Sequence, residues 1–263
     1  MEPSFEWRVK LFLSQDKVGI NEILNGEDIH SDNVKVFGLP TRLIAKTYLY
    51  RVIFADAFGE RGYSSPAYAY ANDPDFMSTS TSAKFWEKVI DKFFLKYEGV
   101  KEHSLNLIRE GTSTGKIVIP TGRWFPIEPA PNKWNGRIEW PRTKMLNYPV
   151  QGFAAEYMKQ VRILLHHRLS KMPWKDRALL INTVHDDVQM DVDNYPEIVY
   201  NSSVLLENCF KDAPLLFERN YGFKMNLPMG GEVKYGLSLY EPQMVKFSPK
   251  TFEEDLCKLL SSK

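Results

Sequence analysis

Apolar residues change their spacing over one short stretch, and that change constrains the fold more than any other feature of the chain. In QGFAAEYMKQVRILLHHRL, after Pro149, the residues Ala154, Tyr157, Met158, Val161, Leu164, Leu165 and Leu169 recur at helical steps, which predicts an amphipathic helix. The next segment, ALLINTVHDDVQMDV, has no helical period. LLINTV is apolar and β-branched, and Val188, Met190 and Val192 alternate with Gln189 and Asp191. A hairpin is expected here, its second strand buried on one face and wet on the other. With a later helix around Ser202 to Asn208 and a closing hairpin near EVKYGLSLYE, the expected fold class is α+β.

The earlier half reads as largely helical. Pro40 and Thr41 open TRLIAKTYLYRVIFADAFG, a helix expected to close at Gly59. A loop with Gly62, Pro66 and Pro74 follows, then the polar connector STSTS. Phe85, Val89, Phe93 and Tyr97 predict one helix from Ala83 to about Leu107, followed by a strand at KIVIP and a turn at TGR. No run of 18 apolar residues predicts a membrane span. The start, MEPSFEWRVK, lacks the shape of a signal peptide, and Cys209 and Cys257 form no CxxC pair, so a reducing cytoplasm fits.

Charge is informative in its distribution rather than its sum, which is +1. Between Lys116 and Lys144, six basic residues (Lys116, Arg123, Lys133, Arg137, Arg142, Lys144) face two acids (Glu128, Glu139), with Trp124, Trp134 and Trp140 among them. Such a stretch can neutralise phosphates and stack on bases, or it can be a solvated loop with half-buried tryptophans.

Two further constellations carry chemistry. His185, Asp186 and Asp187 sit between the two strand-like runs, where carboxylates on a rigid tip suit a hard cation such as magnesium; an exposed polar turn has the same composition. Arg42, Lys46, Tyr50 and Phe54 recur every four residues, a face that winds by about 40° per step. Two cations followed by two aromatics suit a ligand with phosphates at one end and a flat base at the other, although a mixed surface-and-core helix looks similar.

In order and spacing these motifs resemble the family A (DNA polymerase I-like) DNA polymerases, most closely their phage branch, from about Ser4 to Tyr240. The resemblance implies a polymerase palm, an antiparallel sheet with helices, plus a helical fingers subdomain. Arg42 and Lys46 would bind the incoming triphosphate, Tyr50 would pack beside its sugar, and Phe54 would stack on the nascent base pair. Tyr50 further implies tolerance of dideoxynucleotides. NYPVQGFAAE resembles the duplex-binding helix start, which implies that Asn147 and Gln151 contact the template–primer duplex. IPTGRWFPI resembles the strand and turn before that helix and brings in Arg123 as a DNA contact. VHDDVQMDV resembles the palm hairpin, with His185 near the primer end, Asp186 as metal ligand and Asp187 where glutamate is usual.

The resemblance also shows departures. Phe54 and Ala55 stand where relatives have tyrosine and glycine. The first palm motif, D-x-S-x-x-E-x-R, is matched only at its end, by Glu6 and Arg8. Glu6 would exclude a ribose 2′-hydroxyl, less strictly because Phe54 replaces its tyrosine partner. The aspartate position falls on Met1 and the serine position on Pro3; Glu2 is one residue out of register.

The expectation is therefore the carboxy-terminal part of a split or truncated DNA polymerase. Residues 1–30 would begin the palm, 31–115 would form the fingers, and 116–263 would complete the palm. Asp186, Asp187 and Lys46 are the candidate catalytic groups. The expected partners are primer–template DNA, deoxynucleoside triphosphates, and a separate amino-terminal half bringing exonuclease, thumb and the missing aspartate. Two magnesium ions would be held jointly, and a phage-encoded chain would work in its host's cytoplasm. The rival readings are a non-catalytic DNA-binding or scaffolding remnant and a metal-dependent phosphohydrolase using His166, His167, His185 and Asp186.

Overall fold

The computed structural model describes residues 5–54, 63–132, 136–240 and 243–261. Helices and small antiparallel sheets are mixed, as the α+β expectation required. Two compact units are present, residues 1–153 and 154–263.

The first unit begins with seven helices: α1 (Phe5–Ser14), α2 (Lys17–Leu24), α3 (Ile29–Phe37), α4 (Arg42–Phe54), α5 (Ser64–Ala71), α6 (Ala83–Lys96) and α7 (Glu98–Thr114). Their starts follow from capping side chains. Asp16 accepts a hydrogen bond from the Gly19 amide at 2.9 Å and another from the Val100 amide at 3.2 Å, so one carboxylate serves both α2 and the first turn of α7. Thr41 Oγ1 accepts from the Ile44 amide at 3.2 Å and opens α4. Gly38, at φ +70°, closes α3 in the left-handed conformation.

Aromatic rings fill the core beneath these helices. Trp7 meets Tyr97 edge-on at 5.2 Å, Phe76 packs against Trp86 at 5.2 Å, and Tyr48 stacks on Trp86 at 6.0 Å. A polar network threads this core: Lys96 Nζ lies 2.7 Å from Glu22 Oε1 and donates to Asn33 Oδ1 at 2.8 Å. The Tyr97 hydroxyl donates to Glu22 Oε2 at 2.9 Å. The α6–α7 junction lies at this network. The single helix expected from Ala83 to about Leu107 is two, α6 and α7, divided at Tyr97 with φ −112° and ψ 67°. Apolar periodicity runs through the break because both helices bury their stripes in the same core.

Two short hairpins follow. β1 (Lys116–Val118) pairs with β2 (Trp124–Pro126) around the TGR turn, where Gly122 has φ +83°. β3 (Ala130–Pro131) pairs with β4 (Ile138–Glu139). Helix α8 (Arg142–Leu169) starts before the expected position and carries Pro149 inside it. Its first turns bury Met145 and Leu146 against Leu107, Ile117 and Ile127.

The second unit holds the rest of α8, then β5 (Ala178–Val184), β6 (Asp187–Val192), α9 (Pro196–Tyr221), β7 (Lys234–Tyr235), β8 (Val245–Lys246) and α10 (Phe252–Ser261). The Tyr157 hydroxyl donates to the Phe210 carbonyl at 2.6 Å, and its ring stacks on Phe217, tying α8 to α9. The helix expected around Ser202 to Asn208 is the middle of the longer α9. The closing hairpin pairs Lys234–Tyr235 with Val245–Lys246, leaving the apolar residues Leu237, Leu239 and Tyr240 exposed in the connection. Pro66, expected in a loop, lies in α5. The expected helix end at Gly59, and Gly62, Lys133 and Trp134, lie outside the described residues.

Candidate functional site

In the second unit, β5 and β6 form the hairpin read from the sequence, with Val184 paired to Asp187. Only His185 and Asp186 remain for the turn. His185 has φ +52°, a conformation that costs a non-glycine residue backbone energy and that is over-represented at functional sites. Both turn residues and Asp187 are exposed. The base of the hairpin is clasped by Arg177: its Nε lies 2.8 Å from Asp193 Oδ2, and its guanidinium sits 4.1 Å from the Tyr195 ring centroid.

The expected burial of one face of the second strand needs correction. Val188, Met190 and Val192 are half-buried rather than buried, while Leu179, Ile181 and Val184 on β5 are exposed. A two-stranded sheet has little area with which to cover its own side chains. A register shift between Leu180 and Asn182 also bends β5.

In the first unit, α4 carries the cationic and aromatic face. Arg42, Lys46, Tyr50 and Phe54 are each half-buried, and the Tyr50 and Phe54 rings stack at 6.3 Å with 18° between their planes. Arg42 is already engaged. Its Nε and Nη2 each donate to Asp28 at 3.0 Å, a bidentate pair that holds the Asp28 carboxyl well below the usual carboxylate range. His30 lies in the same group: it is 3% exposed and its Nδ1 has no hydrogen-bond partner. Burial, then the nearby charge of Arg42, pushes the His30 imidazole down to about 4, so it is neutral at pH 7.

Sequence reading passed over both Asp28 and His30. An acid and a histidine two residues apart carry no spacing signal toward residues far along the chain, and only the packing of α3 on α4 joins them to Arg42. Glu6 occupies the first turn of α1 and is half-buried, and Arg8 beside it is buried. Met1, Glu2, Pro3 and Ala55 lie outside the described residues.

The candidate duplex-binding residues also fall in the first unit. Asn147 and Gln151 stand one turn apart on α8; Gln151 is exposed, and the buried Oδ1 of Asn147 has no partner. Arg123, in the turn before β2, lays its guanidinium 5.3 Å from the Phe125 ring centroid. Phe125 also explains the glycine after Gln151, because a Cβ at Gly152 would overlap the Phe125 ring. Trp124, the next residue along from Arg123, is 59% exposed.

The donor chemistry at Asp186 and Asp187 suits a hard cation. Among the described residues, however, no group of three or more histidine, cysteine, aspartate and glutamate side chains could hold a metal ion. These residues therefore do not make a metal centre by themselves. The histidine–aspartate pair lies on a β-turn, and His166 and His167 are exposed at the end of α8, so the helical setting of the phosphohydrolase alternative is not found. No described helix is long and apolar enough to cross a membrane.

Comparison with known proteins converges on one family. Residues 4–239 match the model of DNA polymerase family A. The chain is 25% identical over 244 residues to DNA polymerase I of Caldicellulosiruptor bescii, covering 90% of this chain and 26% of that protein. It is 27% identical over 222 residues to DNA polymerase I of Lactococcus lactis, covering 82% of this chain and 24% of that protein. The chain thus spans about a quarter of the length of these relatives. Among solved structures it resembles the POL domain of Pol1 from M. smegmatis in complex with DNA primer–template and dNTP. The TM-score is 0.65 at 20% identity, covering 87% of this chain and 37% of that one, a likeness of fold.

Proposed function

Because the chain belongs to DNA polymerase family A, we propose that it supplies the fingers and catalytic palm for template-directed addition of deoxynucleotides to a primer 3′-end. The observation that carries this reading is the hairpin turn, where a two-residue loop with a left-handed His185 holds Asp186 at an exposed tip. In this proposal residues 1–30 begin the palm, 31–115 form the fingers and 116–263 return to the palm. Arg42 and Lys46 neutralise the triphosphate, Tyr50 and Phe54 shape the base-pair pocket, and Glu6 guards the sugar. Arg123, Asn147, Gln151 and His185 contact primer–template DNA. Asp186 is a magnesium ligand, with Asp187 beside it.

Two-metal phosphoryl transfer requires further carboxylate ligands. We assign the second palm aspartate to a separate amino-terminal polymerase half, as in a split enzyme of the phage branch. A second reading, in which the chain binds DNA without catalysis, is favoured by the exposed Trp124 beside Arg123.

Primer extension with magnesium and four deoxynucleotides, using the chain alone and with an amino-terminal half, tests both. Extension only with the partner, lost in Asp186→Asn, is the expected result. Duplex binding without extension in either case would sink the catalytic reading. Extension by the chain alone would sink the requirement for a partner.

A further inference from the structure

Arg42 is expected to grip phosphate, yet it is bound to a carboxylate from another helix, and the geometry of that contact decides what it means. A guanidinium has five N–H donors on distinct edges. Asp28 accepts from Nε and from one hydrogen of Nη2, both at 3.0 Å, so it occupies the side edge only. One hydrogen of Nη1 and the second of Nη2 point along the outer edge, which matches two oxygens of a phosphate.

Asp28 is itself fixed in place. It is the N-cap of α3, accepting from the Ser31 amide at 3.4 Å and the Ser31 hydroxyl at 2.7 Å. The carboxylate therefore joins the start of α3 to the first turn of α4, and Lys46 follows one turn further along α4. His30, neutral at pH 7, adds no competing charge.

We propose that Asp28 is a positioning residue for nucleotide binding: it holds Arg42 by its Nε–Nη2 edge and thereby presents the Nη1–Nη2 edge to a triphosphate. The inference rests on the nucleotide-binding reading of α4. An arginine side chain free to rotate loses conformational freedom when phosphate arrives, whereas one held by Asp28 has lost much of it beforehand. Repulsion between Asp28 and the phosphates works in the opposite direction. It is weakened because the carboxylate is neutralised by Arg42 itself and because the pair faces solvent, with 32% and 47% of the two side chains exposed.

The test is calorimetric titration of the chain with dATP in magnesium buffer, and with deoxyadenosine as a ligand lacking phosphate. Asp28→Asn is the informative variant, because asparagine caps helices as well as aspartate does but accepts only weakly from a guanidinium. The thermal midpoint should stay unchanged while dATP affinity falls by about fivefold to tenfold, with no change for deoxyadenosine. In an Arg42→Lys background the same substitution should have no effect, since an ammonium has no second edge to direct. Unchanged or tighter dATP binding by Asp28→Asn would overturn the positioning role alone. Failure of the unaltered chain to bind dATP would overturn the nucleotide-binding reading and this inference with it.

Discussion

Lys10 lies on α1 with no exposed surface, and its ammonium donates to Ser104 Oγ at 3.0 Å. Burial lowers its pKa from 10.5 to about 7. The adjoining His103 is pushed down to about 3, by burial first and by the charge of Lys10 second. The unfolded chain therefore binds a proton at Lys10 that the native state gives up between pH 7 and 10.5. Unfolding free energy must rise with pH across that window, and the full penalty of the buried cation remains below it. A shift of that size corresponds to about 5 kcal/mol as a ceiling, since relaxation around the amine reduces it.

Lys10→Met keeps the length and removes the charge, at a cost of about 1–2 kcal/mol for the partnerless Ser104 hydroxyl. The variant should be more stable than the parent at pH 7, by at most about 3 kcal/mol, and the gain should shrink toward pH 10.5. Urea denaturation at several pH values, followed by tryptophan fluorescence, reports on this region because Trp7 and Trp86 are fully buried. A variant less stable than the parent at pH 7, or one with the same pH slope, would refute the reasoning.

Two further tests bear on backbone and packing. His185→Gly removes a left-handed strain at the hairpin tip and should stabilise the protein by about 1 kcal/mol in urea, while primer extension with a partner half is impaired. A loss of stability would show that the conformation is not strained. Gly152→Ala should lower stability by about 1–3 kcal/mol through overlap with Phe125, and adding Phe125→Leu should restore part of it. An unchanged thermal midpoint in the single variant would show that the ring moves aside freely.

Local features were legible in the sequence wherever one segment carried its own signal. The four-residue recurrence from Arg42 to Phe54 became a helix face, the change of period after Leu169 became a hairpin, and the TGR turn contains a left-handed glycine. The helix break at Tyr97 was not legible, because the groups that meet it, the Asp16 carboxylate at the first turn of α7 and Glu22 and Asn33 at the Tyr97 hydroxyl, lie far away along the chain. The overestimated burial of β6 has the related cause that alternation states which face is apolar but not what covers it.

Residue order alone determined the family, the α+β class and the candidate side chains, because spacing and local conformational preference are properties of short segments. Tertiary structure alone decided that Asp28 grips Arg42, that Gly152 makes room for Phe125, and that Lys10 is buried against Ser104. Each of these pairs residues distant in sequence. Hydrogen bonding, steric exclusion and desolvation act through distance in space, which only the packed chain defines.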